Sequence, residues 1–247
     1  MDDEATPGVF SDRARLAELG EYFALPRRVP GHGQELSTLL HPATVLDFVD
    51  RTRVAIAASA GCDTDDIPVR LAASSFQLGV VARLLSPVMG AATCFSAVPV
   101  ITAQSVAWEP DAHAPRFAMA DLEWVGAESV TVAATAIAAS VLTTILGPLN
   151  AVLRSAAALS SHVTWGNVIS AANGAVTVVA MSRPQYESRG RALVEALMDT
   201  ENLRETGHFV RGRFLRRSCC LFYRSPGSGL CDDCVLDVAT LLQRTPR

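Results

Sequence analysis

Apolar residues in the first third of the chain recur at the spacing of amphipathic helices. Three stripes share this pattern: Leu16, Leu19 and Phe23; Val45, Phe48, Val49, Thr52 and Ile56; and Ala72, Phe76, Val80 and Leu84. Residues three and four positions apart lie on one helix face, so each stripe predicts a helix with one buried side. The third helix is expected to end before Pro87, because proline disrupts a helix interior.

The middle of the chain changes to the chemistry of strands. Residues 98–108 and 116–125 are rich in Val, Ile, Phe and Trp, and the run Glu-Pro-Asp-Ala-His-Ala-Pro separates them. Two such segments around turn-forming residues are typical of an antiparallel hairpin, which we expect over about 98–125. Helix-sized apolar runs return over 128–182, with breaks at Gly147-Pro148 and Gly166-Asn167, and a further helix is predicted over roughly 185–205.

These patterns predict an α+β fold that is mainly α-helical, with a helical core and a small antiparallel β-hairpin or sheet. The chain has 247 residues, of which 49% are apolar, so it is long enough to bury a sizeable core. The segment after 206 is basic and rich in Gly and Cys, and it lacks periodicity. We therefore expect a mainly helical domain over 1–206 and a C-terminal cysteine-rich segment over 207–247.

Three uncharged stretches, 84–108, 129–153 and 155–182, are long enough to cross a bilayer. They contain Ser, Thr, Asn or Pro residues and lack a leucine-rich centre with aromatic anchors, which favours buried helices of a soluble protein. The acidic start, Met-Asp-Asp-Glu, lacks the features of a signal peptide. We expect a cytoplasmic protein, and an association with the inner membrane as a peripheral protein stays open.

The charge balance narrows the class of partner. The chain has 21 basic and 25 acidic side chains, a net charge of −4, which argues against bulk binding of nucleic acid. No nucleotide or flavin fingerprint is present, so electrons for any redox reaction are expected to come from a partner protein. In a reducing compartment, clustered cysteines indicate metal binding or redox chemistry more often than disulfides.

Four of the six cysteines lie in the tail with the spacing C-C-x10-C-x2-C: Cys219, Cys220, Cys231 and Cys234. The last two are three positions apart, which lets their thiolates face a common metal. Adjacent side chains on an extended backbone point to opposite sides, so the first two suit two metal ions better than one. This favours a two-iron cluster; a structural zinc site and thiol redox chemistry remain the alternatives.

The tail resembles the C-terminal signature of ferric siderophore reductases of the FhuF type, through Arg-Ser-Cys-Cys-Leu-Phe-Tyr-Arg at 217–224 and Cys-Asp-Asp-Cys at 231–234. Weaker similarity covers Arg-Leu-Ala-Ala-Ser-Ser at 70–75, Arg-Leu at 83–84, the hairpin after Val98, and Thr-Trp-Gly-Asn at 164–167. The resemblance implies that the four cysteines hold a [2Fe-2S] cluster. It also implies a cytosolic oxidoreductase that reduces iron(III) in an imported siderophore, often a hydroxamate, to iron(II).

Other residues are candidates for docking. Residues 204–224 contain six arginines and one acid, Glu205, a net charge of +5. We expect Arg216, Arg217 and Arg224 to offset the charge of the cluster or to dock an acidic electron donor such as a ferredoxin or its reductase; a solvated basic face is the alternative. Trp165 and Asn167 are candidates for the lining of a siderophore pocket. The alternative is that the Trp165 indole packs in the core, beside a Gly-Asn pair that ends a helix.

Three functions therefore compete. The first is a one-electron reductase of ferric siderophores that acts in iron acquisition through the cluster. The second is a module that binds a siderophore or a partner, in which zinc staples the tail and no redox activity exists. The third is a membrane-associated accessory of siderophore uptake, prompted by the three uncharged stretches.

Overall fold

Helices form most of the molecule in the computed structural model, which describes residues 7–237, with side chains from Asp12 onward. The helices are α1 Pro7–Ala17, α2 Leu36–Leu39, α3 Pro42–Ala60, α4 Val69–Cys94, α5 Val130–Ile137, α6 Gly147–Ala156, α7 Ser161–Ser182 and α8 Glu187–Met198. The strands are β1 Gln34–Glu35, β2 Ala97–Pro99, β3 Val106–Asp111, β4 Ala114–Met119, β5 Trp124–Gly126, β6 Gly207–Val210 and β7 Arg213–Arg216. The predicted class, α+β and mainly α-helical, is confirmed. The division at 206 stays a prediction, and residues 1–6 and 238–247 of the two predicted segments lie outside the described residues.

Helix α4 is the central element, with α3 and α7 packed along it. Its buried residues lie on all sides and include every position from Leu84 to Thr93. The helix continues through Pro87 to Cys94, so the predicted end before Pro87 is wrong. Proline removes one backbone hydrogen bond there, and burial of the surrounding turns holds the helix together despite that loss.

The predicted hairpin is present, with a shorter turn than the sequence indicated. Strands β3 and β4 pair antiparallel from Val106 opposite Met119 to Asp111 opposite Ala114, so Ala112 and His113 alone form the turn. Strand β1 extends this sheet along β3, and β2 pairs with β5 in a second small sheet. The seven-residue turn predicted over 109–115 was too long, because two of its prolines fit opposite each other in the ladder.

Helix α7 runs through Gly166 and Asn167, where the sequence analysis placed a break. The second predicted break, at Gly147-Pro148, is a change of helix type. Residues Ala138–Leu146 form a π-helical segment that joins α5 to α6, and Pro148 lies in the first turn of α6. Proline is tolerated at that position because the first turn has no internal partner for its missing N–H.

Three helical stretches are long and apolar enough to cross a membrane, judged by length and composition alone. They are Val69–Cys94, Val130–Ala156 and Ser161–Ser182. In their most apolar windows, 72%, 44% and 56% of the residues are buried inside the protein. That these stretches belong to a soluble, cytoplasmic protein stays a prediction.

The tail begins with a hairpin that the sequence analysis did not predict. Strands β6 and β7 pair antiparallel from Gly207 opposite Arg216 to Val210 opposite Arg213. Arg211 and Gly212 form the two-residue turn, and both have positive φ angles of 52° and 80°. Such a turn matches the twist of paired strands. Strand β7 contacts α7 and leads directly into the first two cysteines.

Candidate metal centre

The chain after β7 folds back so that its two cysteine pairs lie side by side. Helical turns at Phe222–Arg224 and Val235–Asp237 shape this segment. The Ser228 hydroxyl donates to the carbonyl oxygens of Phe222 and Ser225, 2.8 Å from each, and closes the intervening loop. The backbone N–H of Arg216 donates to the Asp233 carbonyl at 3.0 Å. This bond connects the second cysteine pair to the end of β7. We name residues 217–234 the cysteine loop.

One sulfur–sulfur contact joins the two halves of this loop. Cys220 Sγ lies 3.5 Å from Cys231 Sγ. Two thiolates on one tetrahedral metal, each about 2.3 Å from it, stand about 3.8 Å apart, so this pair fits a single ion. Cys219 lies within electrostatic range of Cys220 and Cys234. Cys220 and Cys234 are buried, while the other two cysteines of the loop are half-buried, and all four are free of disulfides.

Each of the four sulfurs has one N–H donor directed at it. The backbone N–H groups of Leu221, Phe222 and Leu236 lie 3.3, 3.5 and 3.4 Å from the sulfurs of Cys219, Cys220 and Cys234 respectively. Leu221 has a φ of 71°, a costly conformation for a side chain of its kind, and it lies at the turn that aims the first two donors. The fourth donor is the side chain of Arg216, with Nη2 3.4 Å from Cys231 Sγ.

The electrostatics of the Cys220–Cys231 pair favour one thiolate. A hydrogen bond from the Cys231 thiol lowers the pKa of Cys220 to about 5, and the positive charge of Arg216 acts in the same direction. The pKa of Cys231 is raised well above its usual range, first by donating that hydrogen bond and then by burial. Burial raises the pKa of Cys219, and the charges of Cys220 and Cys234 add to this. The loop therefore stabilises the thiolate form of Cys220 and the protonated thiol of Cys231.

Arg216 is buried, which suits its predicted role of offsetting the charge of the cluster better than the alternative of docking a donor, and its role stays a prediction. Only 1% of the residue is exposed. Its Nη1 donates to Asn167 Oδ1 at 2.7 Å, and its Nε lies 3.4 Å from Asp233 Oδ2, without hydrogen-bond alignment. Burial acts to lower the pKa of Arg216, but the charges of Asp233, Cys220 and Cys231 outweigh it and raise that pKa above its usual range. The guanidinium is therefore a permanent positive charge in the interior.

Asn167 also lies in the interior; that it lines a siderophore pocket stays a prediction, which this burial does not support. It has no exposed surface. Its amide nitrogen donates to the side chains of Ser74 at 3.0 Å and Gln77 at 2.8 Å, both on α4. Gln77 in turn donates to Asn150 Oδ1 at 3.1 Å. Asn167 therefore links a polar network inside the helical core to Arg216, while its neighbour Trp165 is half-buried against that core.

Two further contacts fix the cysteine loop to the helices, and the sequence analysis did not single out their residues as functional. The Ser74 hydroxyl donates to the Cys220 carbonyl at 2.8 Å. The Ser218 hydroxyl donates to the His162 carbonyl at 2.6 Å, and it lies against the backbone of Gly166. Ser74 and Gly166 lie in the runs 70–75 and 164–167, for which the sequence suggested a weak family resemblance, and the matched family model does not extend to them.

The other predicted arginines are on the surface. Arg217 and Arg224 are exposed, beside Phe222 and Tyr223, which are 45% and 43% exposed. The net charge of the region is smaller than the arginine count indicates. Asp233 faces Arg216, and Arg213 is paired with Asp237 at 3.1 Å. Exposed positive charge next to the loop is therefore concentrated at a few side chains.

The remaining two cysteines of the chain lie outside the cysteine loop. Cys62 and Cys94 are half-buried and pack against apolar side chains. Burial raises the pKa of Cys94. A protonated thiol in such surroundings is a weak metal ligand and a weak nucleophile.

The donor set of the cysteine loop suits a two-iron cluster. Within the described residues, no group of three or more His, Cys, Asp and Glu side chains is placed to hold one metal ion. A [2Fe-2S] cluster takes two thiolates on each iron, so it needs two pairs of cysteines. Hydrogen bonds to the sulfurs are a means by which proteins tune such clusters, and each sulfur here has one. That Cys219, Cys220, Cys231 and Cys234 are the ligands stays a prediction, which this geometry supports.

A large cleft lies away from the cysteine loop. It has a volume of about 740 Å³ and is lined by residues that include Tyr22, Arg83, Trp108, Arg116 and Phe117. Arg83 follows Ser74 by nine positions on α4, which is about 14 Å along the axis and two and a half turns. Since Ser74 faces the cysteine loop, the cleft lies on the opposite side of α4.

Comparison with protein families places the tail. Residues 216–236 match the family model described as FhuF 2Fe-2S C-terminal domain. The chain as a whole matches no curated protein. The match covers β7's last residue, the cysteine loop and the turn after it, so the resemblance of the four-cysteine motif is confirmed, together with its [2Fe-2S] cofactor. Over residues 216–236 the chain is similar to the [2Fe-2S] C-terminal domain of the FhuF family, and the match spans 21 of its 247 residues.

Proposed function

We propose that the protein is a one-electron reductase of ferric siderophores that releases iron as iron(II). The observation that carries this proposal is the cysteine loop, in which every sulfur accepts one N–H donor beside a buried arginine. The family match to a 2Fe-2S domain supports an oxidoreductase of the ferric siderophore reductase kind. A hydroxamate siderophore is the proposed substrate class.

The reaction transfers one electron, and it forms or breaks no bond to carbon. A siderophore holds iron(III) through hard oxygen donors, and it holds iron(II) far more weakly because the lower charge loses electrostatic attraction. When bound, the [2Fe-2S] cluster supplies a one-electron carrier. The donor protein loses the electron, the iron(III) of the chelate gains it, and iron(II) leaves the siderophore.

The chain's own residues have three tasks in this proposal. Cys220 and Cys231 are assigned to one iron because of their 3.5 Å separation, and Cys219 and Cys234 to the other. The backbone N–H groups at 221, 222 and 236 hold the sulfurs in place and stabilise their negative charge. The polar network behind the loop fixes its orientation on α4 and α7.

Both partners are proposed to approach the exposed side of the cysteine loop. Phe222 and Tyr223 offer apolar surface there, and Arg217 and Arg224 offer positive charge. An acidic electron donor such as a ferredoxin or its reductase complements that charge. The proposed location is the cytoplasm, where such donors are reduced.

Anaerobic purification and reduction of a ferric hydroxamate test the proposal together. We expect coloured protein with about two irons and two labile sulfides per chain, and an electron-spin signal that appears on reduction. The reduced protein should reduce the iron(III) of ferrioxamine to iron(II), which a chromogenic iron(II) chelator traps. One iron should be reduced for each electron that the protein held. Colourless protein with stoichiometric zinc would instead support the zinc-stapled binding module and refute the reductase.

A further inference from the structure

Among the arginines of the described part of the tail, Arg216 alone is buried. Its guanidinium is buried, and its three nitrogens face three different groups: Nη2 faces Cys231 Sγ, Nη1 faces Asn167 Oδ1, and Nε faces Asp233 Oδ2. A buried charge is costly unless it is paired. The Asp233 side chain is 15% exposed and is not aligned for a hydrogen bond with Nε. This single carboxylate therefore compensates the charge of the guanidinium only in part.

The cysteine loop supplies the rest of the compensation. Four thiolates, two sulfides and two ferric ions sum to a dianion, and one-electron reduction adds a third negative charge. A fixed positive charge within hydrogen-bond distance of one sulfur stabilises the reduced form more than the oxidised form. The effect is strong here because Arg216 is excluded from water, which would otherwise screen it.

Asn167 determines where that charge lies. Its oxygen accepts from Nη1, and its nitrogen is occupied by Ser74 and Gln77, so the amide cannot turn over without losing these bonds. Asn167 on α7, which is itself bonded to α4, therefore holds the guanidinium at Nη1. Cys231 and Asp233 of the cysteine loop contact its other two nitrogens. A flexible surface arginine would not give a defined distance to the sulfur.

We infer that Arg216 is a positioning residue that raises the one-electron reduction potential of the centre, with its guanidinium aimed at Cys231 by Asn167. This rests on the proposed function only in that the cysteine loop holds the cluster. Arg216 touches a ligand sulfur and not the siderophore, so it acts through the centre. Its effect belongs to the potential and not to substrate binding.

The experiment compares Arg216→Gln with Arg213→Gln by redox titration followed by electron-spin resonance. Arg213 is the matched control, because it lies on the same strand and bonds the Asp232 carbonyl and Asp237 but is not bonded to a sulfur. Arg216→Gln should lower the ratio of reduced to oxidised centre at least tenfold at a fixed solution potential, about 59 mV for one electron. Arg213→Gln should leave it within twofold. Equal potentials for the wild type and Arg216→Gln, with iron and sulfide retained, overturn the inference.

Two further variants separate an electrostatic role from a structural one. Arg216→Lys keeps the charge and should recover part of the lost potential, whereas a purely structural role would give the wild-type potential in whatever centre remains. Asn167→Asp keeps Arg216 and places a carboxylate against it, so the potential should fall even if Arg216→Gln does not assemble. An unchanged potential in Asn167→Asp also overturns the inference. A wild-type protein without iron and sulfide refutes the proposed function itself.

Discussion

Gly166 on α7 lies directly against Ser218, the residue that precedes the cysteine pair. A Cβ atom built at position 166 would stand 2.0 Å from Ser218 Oγ, closer than any real contact. The Ser218 hydroxyl is not free to turn away at no cost, because it donates to the His162 carbonyl. The glycine is therefore required for the close approach of the cysteine loop to the helix and not for a bend in the helix.

Gly166→Ala should weaken the docking of the cysteine loop. The added methyl group forces Ser218 away, and overpacking of this kind outweighs the gain in helix propensity, for a net loss of about 1 kcal/mol. Urea unfolding followed by circular dichroism measures this, together with the iron retained after gel filtration. Gly174→Ala is the matched control on the same helix, since a Cβ there has nothing within 4 Å; it should be neutral or stabilising by up to about 1 kcal/mol.

A double variant tests the stated cause. In Gly166→Ala/Ser218→Ala the nearest clashing atom is gone, and the closest remaining neighbour of the new methyl group would be the Ser218 Cβ at 3.4 Å. The double variant should therefore be more stable than Gly166→Ala alone. If the two losses simply add, the contact between these residues is not the cause.

Much of the fold could be predicted from periodicity, because the helices bury stripes of apolar residues at regular spacing. The exceptions have physical causes. Pro87 and Gly166-Asn167 were interpreted as breaks, yet α4 and α7 continue through them because burial and packing override local propensity. The cysteines could be recognised from their spacing alone. The burial of Arg216 could not, because its partners Asn167 and Asp233 are 49 and 17 positions away, and only the folded chain brings them together.

Cys219, Cys220, Cys231 and Cys234 should each be needed for the cluster. Replacing any one by serine exchanges a soft thiolate for a hard, weakly acidic hydroxyl, so the iron and sulfide per chain should fall by more than half. Cys62→Ser and Cys94→Ser are the controls, and they should keep the wild-type content and visible absorption. A loop variant that retains the full iron and sulfide content, with an unaltered electron-spin signal, would remove that residue from the ligand set.

Ser74→Ala should weaken the attachment of the cysteine loop to α4. The variant removes the donor to the Cys220 carbonyl and an acceptor for Asn167, and unsatisfied buried polar groups cost about 1–3 kcal/mol. Ser75 is the neighbouring control, because within the described part of the chain its hydroxyl makes no bond to the cysteine loop. Ser75→Ala should change the free energy of unfolding by less than about 0.5 kcal/mol. Equal losses in the two variants would show that Ser74 does not anchor the loop.

Arg217→Glu/Arg224→Glu should slow electron delivery without changing the centre. Both side chains are exposed beside the cysteine loop, so charge reversal weakens steering of an acidic donor, by about tenfold at low ionic strength and less at high salt. Stopped-flow reduction by a ferredoxin at two salt concentrations measures this, while the redox titration should give the wild-type potential. Arg51→Glu on α3, beside the β3–β4 turn, makes the same kind of charge change away from the loop and should leave the rate unaltered. A double reversal with the wild-type rate at low salt would mean that the donor docks elsewhere.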